Sequence, residues 1–261
     1  MVDSREAKFS ELIEAVAKQL VATEHDKTGS FIRTPLTYPS GSLVVVRVHC
    51  PDDTRFFVSD WGLGYQESDL IGAGAFYTRH AKAIAEKAQV GFDNQAFFVM
   101  EATREQLAGA VVTIANCSQE ATVRASDALA EKTFEDSKSR LYERLVSVFR
   151  SSVTSDPRVV TRNTKFVGHS HTEWPIATLV RLPGASRPTI FEPVTKHHHS
   201  VASASMKFSD IARLGAEAPA RVAVVHKKKE FGTLLGVLSQ SANVIDEDAP
   251  DATIERLAKA A

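Results

Sequence analysis

The chain has 261 residues, with 31 Lys and Arg against 32 Asp and Glu and 43% hydrophobic side chains, a composition that excludes disordered and fibrous architectures. No run approaches the roughly 18–20 uninterrupted apolar residues of a membrane span, and Met1–Ser10 alternates charges where a signal peptide carries an apolar stretch, so a cytoplasmic, non-membrane protein is expected. The length suits two ordinary domains, and charge divides between them: residues 1–156 hold 17 basic against 22 acidic side chains, residues 157–261 hold 14 against 10.

Asp3–Ala22 carries Phe9, Ile13, Val16 and Leu20 at helical spacing, with Asp3 as N-cap and Glu6 three residues on. Thr23–Gly41 contains Gly29-Ser30, Thr34-Pro35 and Tyr38-Pro39-Ser40-Gly41 and is expected to be loop. Leu43–Cys50 alternates Val44, Val46 and Val48 with Arg47 and His49, and Pro51-Asp52-Asp53-Thr54 turns it into Arg55–Ser59, which predicts a β-hairpin. The hairpin closes in Ser59-Asp60-Trp61-Gly62-Leu63-Gly64, where Asp60 can accept from nearby amides and the glycines can take positive φ. Helix is predicted over Arg79–Gln89, strand over Gln95–Glu101, and a long Ala-rich helix from the capping sequence at Thr103 to Leu129. The first domain, residues 1–132, ends there.

The second domain, 133–261, begins with a charged bridge (Glu131–Lys138) and a helix over Ser139–Ser151. Strands follow at Arg158–Val167, Glu173–Leu182 and Thr189–Lys196, then a helix (Val201–Leu214), a strand (Arg221–His226), a helix (Phe231–Ser239), a short strand at Val244-Ile245 and a last helix from Ala252. The fold class is α/β (α+β): an N-terminal α+β domain with a β-hairpin, then a C-terminal α-β-β-β-α-β domain. Cys50 and Cys117 stand far apart without metal-ligand companions, as reduced packing thiols do.

On Arg33-Thr34-Pro35, the hairpin Val44–Phe57 and the turn Val58–Gly62, the first half resembles bacterial domain of unknown function 1828. Phe166-Val167-Gly168-His169-Ser170 is similar to its downstream companion, domain of unknown function 1829. That resemblance implies no activity, but associates the chain with prophages, mobile elements and phage defence. The order α-β-β-β-α-β also resembles the restriction-endonuclease-like fold, which implies a carboxylate on the second strand and a carboxylate-x-Lys on the third. Glu173 and Glu192 take those places as catalytic residues and Mg²⁺ ligands, with Glu143 as a further acid. Val194 stands where the lysine belongs, Lys196 is one rung further on, and Pro193 interrupts the strand, which favours a non-catalytic form with no cofactor.

Between Arg158 and Glu230, 12 basic residues face 5 acidic ones. Lys227, Lys228 and Lys229, with Lys207 and Arg187, are expected to contact phosphates. His169, His171 and Glu173, with His197-His198-His199, form an alternative transition-metal set. In the first domain Asp60 and Trp61 are the candidates for partner binding, Trp61 being either an exposed anchor or a ring folded over the core. The sequence thus predicts a protein that binds nucleic acid or a nucleic-acid-processing complex without cleaving, its first domain making protein contacts or a homodimer. The alternatives are an Mg²⁺-dependent nuclease with a displaced lysine, and a protein-binding inhibitor or adaptor.

Overall fold

The structure, a computed structural model, describes residues 3–27, 29–51 and 54–259, apart from the side chains at 3–8, 10, 17 and 19. The expected Asp3 cap with Glu6 and the Asp52-Asp53 turn lie outside the described residues. The chain is α+β throughout and divides into two compact units, residues 1–131 and 132–261.

The first unit opens with helix α1 (Asp3–Leu20) and then builds a six-stranded antiparallel sheet, β1 (Ala22–Asp26), β2 (Gly29–Thr37), β3 (Leu43–His49), β4 (Phe56–Ser59), β5 (Gly91–Asp93) and β6 (Ala96–Ala102), in the order β1-β2-β3-β4-β6-β5. Two strands thus occupy what the sequence presents as loop. β1 is exposed along its whole length and shows no apolar alternation, while β2 is interrupted by a register shift between Arg33 and Thr37 that holds Thr34-Pro35. Pro35 has no N–H to donate, and the Thr34 hydroxyl bonds Val44 O at 2.9 Å across the bulge. One sheet face is apolar because Val44, Val46 and Val48 alternate inward on β3.

Helix α2 (Leu63–Leu70) follows β4, and α3 (Gly74–Ala88) and α4 (Leu107–Val148) cover that apolar face. Tyr77, Ala81, Ile84 and Ala85 form the buried stripe of α3; Ala110, Ile114, Ala121 and Ala125 form that of α4, small residues that bring the helix close to its neighbours. α4 is one helix of 42 residues where the sequence suggests two joined by a bridge, since Glu131–Lys138 contains neither Gly nor Pro and its charges sit at helical spacing, as in the Lys138–Glu135 pair.

In the second unit α4 continues to Val148, followed by α5 (Arg150–Ser155), β7 (Val160–Val167), β8 (Glu173–Val180), β9 (Thr189–Val194), α6 (His198–Ala212), β10 (Ala220–Val225), α7 (Leu234–Ser239), β11 (Asn243–Asp246) and α8 (Asp251–Lys259). The sheet runs β11-β10-β9-β8-β7, antiparallel from β7 through β9 and parallel from β9 through β11. Central β9 is buried at every position, as a strand covered on both faces must be. One face packs Leu141, Leu145 and Phe149 with α8's Ile254 against Phe191, Val222 and Val224. The other packs Val201, Phe208 and Ile211 of α6 with α7's Leu238 against Ile190, Ala223 and Val225.

The hairpin β7–β8 is tied to α6 by Asp210, whose Oδ2 accepts from Trp174 Nε1 at 2.7 Å and Ser170 Oγ at 2.8 Å while Oδ1 accepts Ser170 N–H at 3.0 Å. These bonds, the indole's first, hold Asp210 below the usual carboxylate range. Gly168 is required by close approach: a Cβ there would sit 1.9 Å from Asp210 Oδ2 and 2.9 Å from Trp174 Nε1. Gly168→Ala is therefore expected to lower Tm by ~4–8 °C in a thermal scan. An unchanged Tm would show that the hairpin is not held by this clamp.

Candidate functional site

Asp60 ends β4 and is completely buried. Its Oδ1 accepts the N–H groups of Phe97 at 2.8 Å and Gly62 at 3.2 Å, and its Oδ2 accepts the hydroxyl of Ser118 at 2.7 Å, with Tyr77 OH at 3.5 Å. Tyr38 OH completes the cluster at 2.9 Å from Ser118 Oγ. Burial raises the Asp60 pKa and the bonds from Ser118 and the backbone oppose it; burial likewise pushes the Tyr38 and Tyr77 phenols far up. The expectation that Asp60 touches a partner is corrected, because no part of it reaches the surface.

What Asp60 does is fix its neighbour. With Asp60 pinned, Trp61 N–H donates to Ser59 Oγ at 3.0 Å and Trp61 takes the left-handed conformation at φ 56°, uncommon for a bulky residue. The indole is turned out and is 56% exposed. Arg47 stacks on it with its guanidinium carbon 3.9 Å from the ring centroid, and lies 5.7 Å from the Phe31 centroid. Phe31, Arg47, Ser59 and Phe98 are successive cross-strand partners on β2, β3, β4 and β6, so they share one face, opposite the buried valines. Phe98 lies over Gly91 and stacks on Phe57 at 5.9 Å and 25°, while His49 faces Phe57 in register. A row from β2 to β6 spans about 14 Å. Phe31, Phe57, Phe98, Arg47 and Trp61 thus form an aromatic and cationic strip on the outer face of the first unit's sheet. Sequence alternation marks Arg47 and His49 as outward, but the register that aligns Phe31 and Phe98 with them depends on a strand hidden by Pro35.

The nuclease residues of the second unit do not assemble. Ala177 lies opposite Glu192 in the β8–β9 register, and Glu173 is four residues before it, about 13 Å along the strand. Glu173 is exposed and paired with Lys165 at 2.7 Å, Lys196 reaches Glu230 at 3.7 Å, and Glu143 faces solvent from α4. Among the described residues no group of His, Cys, Asp and Glu converges as a metal site, so neither the Glu173–Glu192 pair nor the histidine set is brought together. Glu192 is instead 4% exposed and bound at 2.7 Å to Lys207, itself 5% exposed. This corrects Lys207 from a phosphate contact to a core residue.

The β8–β9 ladder is paired from Val180 and Thr189 to Thr178 and Phe191. Just beyond it Glu192 Oε2 accepts the Ala177 N–H at 3.0 Å, and Lys207 Nζ donates to the Pro175 carbonyl at 2.7 Å. The ion pair thus serves backbone groups where the ladder ends.

Lys227, Lys228 and Lys229 line an open cleft of ≈ 690 Å³ at the carboxyl ends of β10 and β11, together with Glu230, Asp246, Glu247 and Asp248. Lys227 is paired with Glu230 at 3.4 Å, and the three lysines share the cleft with four acids. Burial pushes Glu247 up, but bonds and charge from Arg140 and His226 outweigh it and leave it below the usual range. Arg187 precedes β9 and bonds Ala218 O at 3.3 Å, at the opposite end of the strands, about 16 Å from the lysines. One continuous phosphate track through all five basic residues is therefore ruled out. No known protein family, curated protein or solved structure matches the chain.

Breaking the ion pair with Lys207→Met is expected to cost about 3–5 kcal/mol in denaturant unfolding, and Glu192→Leu with Lys207→Met to recover part of that. A single substitution without effect would contradict the structural role. For Asp60, the folded pKa lies above the ordinary 3.8, so the folded form holds a proton that the unfolded chain has lost. Its contribution to stability therefore falls as pH rises from about 3.8 through the raised value and is constant above it. Wild-type Tm is expected to decline relative to Asp60→Asn over that interval; parallel pH profiles would contradict a raised Asp60.

Proposed function

We propose that this protein binds single-stranded nucleic acid without cleaving it, using the outer sheet face of the first unit as a stacking platform. The observation that carries this reading is the Arg47 guanidinium lying over the exposed, conformationally fixed Trp61 and within 5.7 Å of the Phe31 ring centroid. Bases have π-faces that stack on such rings regardless of sequence, and arginine contributes both stacking and charge. The exposed Trp61 ring and the Phe57–Phe98 stack would take two or three bases, with His49 and Arg33 in the paired register, Arg33 already holding Glu24, and Arg55 just before β4.

The reading without cleavage is supported by the second unit, where Glu192 and Lys207 are paired in the core and Glu173 is paired with Lys165 at the surface. The α-β-β-β-α-β order supports descent from an endonuclease-like fold whose catalytic positions have been given structural work. On this reading the chain is a cytoplasmic protein of the paired 1828 and 1829 domains, serving a mobile element or defence against one. No helix among the described residues is long and apolar enough to cross a membrane.

The test is fluorescence anisotropy with a labelled oligo(dT) or oligo(U). Trp61→Ala is expected to weaken Kd by about 1–3 kcal/mol, roughly 5- to 150-fold. With two or three phosphates neutralised, log K should fall with log salt at a slope of about −1.4 to −2. Binding lost on changing Lys227, Lys228 and Lys229 to Glu but untouched by Trp61→Ala would contradict the platform.

A further inference from the structure

Positive charge gathers at the amino ends of β9 and β10, away from the mixed charges of the lysine cleft. The segments that meet there, residues 181–189, 213–222 and 239–243, hold Arg181, Arg187, Arg213 and Arg221 against a single acid, Glu217. Strand register brings Arg187 and Arg221 together: Thr189 pairs with Ala220, whose N–H donates to Pro188 O at 3.0 Å. Arg187 Nη1 donates to Ala218 O at 3.3 Å, and Arg221 Nη1 donates to the next carbonyl, Pro219 O, at 2.9 Å. Arg221 Nε also donates to Ser241 O at 2.9 Å. Two guanidiniums are thus anchored on consecutive carbonyls of one short stretch of backbone.

Those carbonyls position the two groups but bring no charge to balance them. Neither arginine forms an ion pair with a carboxylate among the described residues, and Glu217 is exposed and pairs with neither. Both arginines are partly buried. Burial first, and then the neighbouring charge of Arg187, hold the Arg221 guanidinium below the ordinary arginine range. Charges taken partly out of water are ordinarily paired, so two adjacent guanidiniums without a carboxylate leave a local deficit of negative charge.

We propose that Arg187 and Arg221 together form a binding site for a dianionic phosphate monoester. One arginine fork already satisfies the two oxygens of a carboxylate, whereas a phosphate monoester carries about −1.5 to −2 charges at pH 7 and three acceptor oxygens, enough for two forks. Nη2 of both side chains and Nε of Arg187 are not used on the carbonyls and remain to donate. Because the carbonyls hold both side chains in place beforehand, binding orders little that is not already ordered. Arg181, exposed at the end of β8 beside the β8–β9 connection, strengthens the positive field. This reading is independent of nucleic-acid binding by the first unit.

The phosphate can belong to a small molecule or to the 5′ end of a strand, and the experiment separates the two. The full chain is titrated calorimetrically, at one ionic strength, with phenyl phosphate and with benzoate, which differ in the anion alone. Phenyl phosphate is expected to bind saturably and raise Tm, and benzoate to do neither. Arg187→Gln, or Arg221→Gln if that variant does not fold, should weaken phenyl phosphate at least tenfold. Arg187→Lys, which keeps the charge and loses the fork, should weaken it as well, whereas Lys227→Gln with Lys228→Gln and Lys229→Gln should leave it unchanged. Tighter binding of 5′-phosphorylated than of 5′-hydroxyl oligo(dT), lost in Arg187→Gln, would assign the phosphate to a strand end; saturable phenyl phosphate with no such difference would assign it to a small molecule. No saturable binding of phenyl phosphate, benzoate bound as tightly, or unchanged affinity in the folded glutamine variant would overturn the proposal.

Discussion

A buried backbone N–H must find an acceptor, and in this chain three carboxylates supply acceptors that strands and helices leave out. Asp60 takes the amides of Gly62 and Phe97 where β4 ends, Glu192 takes that of Ala177 where the β8–β9 ladder ends, and Asp210 takes that of Ser170 in the β7–β8 turn. Each replaces a regular bond at a place where the chain has to depart from regular structure. Without them the sheets would end in unpaired donors at the very segments that shape the outer face of the first unit and the centre of the second.

For the first unit this constraint bears on the function proposed for it. An exposed tryptophan on a flexible turn would lose much of its stacking energy to ordering. Here the acid beneath it is fixed by Phe97, Gly62 and Ser118, and Arg47 already lies on the ring. The platform is thus preorganised, and Phe31, Phe57 and Phe98 extend it across the strands without adding mobile side chains. In the second unit the same constraint takes Glu192 and Lys207 into the core. A carboxylate and a lysine side by side are among the parts of a metal-dependent nuclease, but here they are 4% and 5% exposed and bond backbone groups where the β8–β9 ladder ends. The Coulombic gain of such a pair is largely spent on desolvation, so its value lies in specifying register.

Much of the fold was legible from periodicity. The second unit's order of helices and strands follows from alternation and turn residues, because its strands are apolar and its turns carry Gly and Pro. β1 and β2 were hidden since Ala22–Asp26 is wholly solvent-facing and Pro35 reads as a breaker, whereas the bulge at Thr34-Pro35 tolerates it. The candidate site was legible in part. Asp60 and Trp61 stand out as a pair in the sequence, yet their roles divide, one buried and one exposed, which only the position of Phe97 decides. Phe31, Phe57 and Phe98 carried no signal, because their shared face depends on register across strands distant in sequence. Lys207 reads as a surface lysine since nothing local to α6 discloses that it meets Glu192 and the Pro175 carbonyl, 32 residues away.

The claim on which these readings converge is that the outer sheet face of the first unit meets nucleic-acid bases. Photocrosslinking of a 5-bromouridine oligonucleotide to the full chain, with the attached residues located by mass spectrometry, addresses it without altering the protein. Adducts on Trp61, Phe31, Phe57 or Phe98 are predicted. Adducts confined to Lys227–Lys229 and their cleft, or none at saturating oligonucleotide, would contradict it.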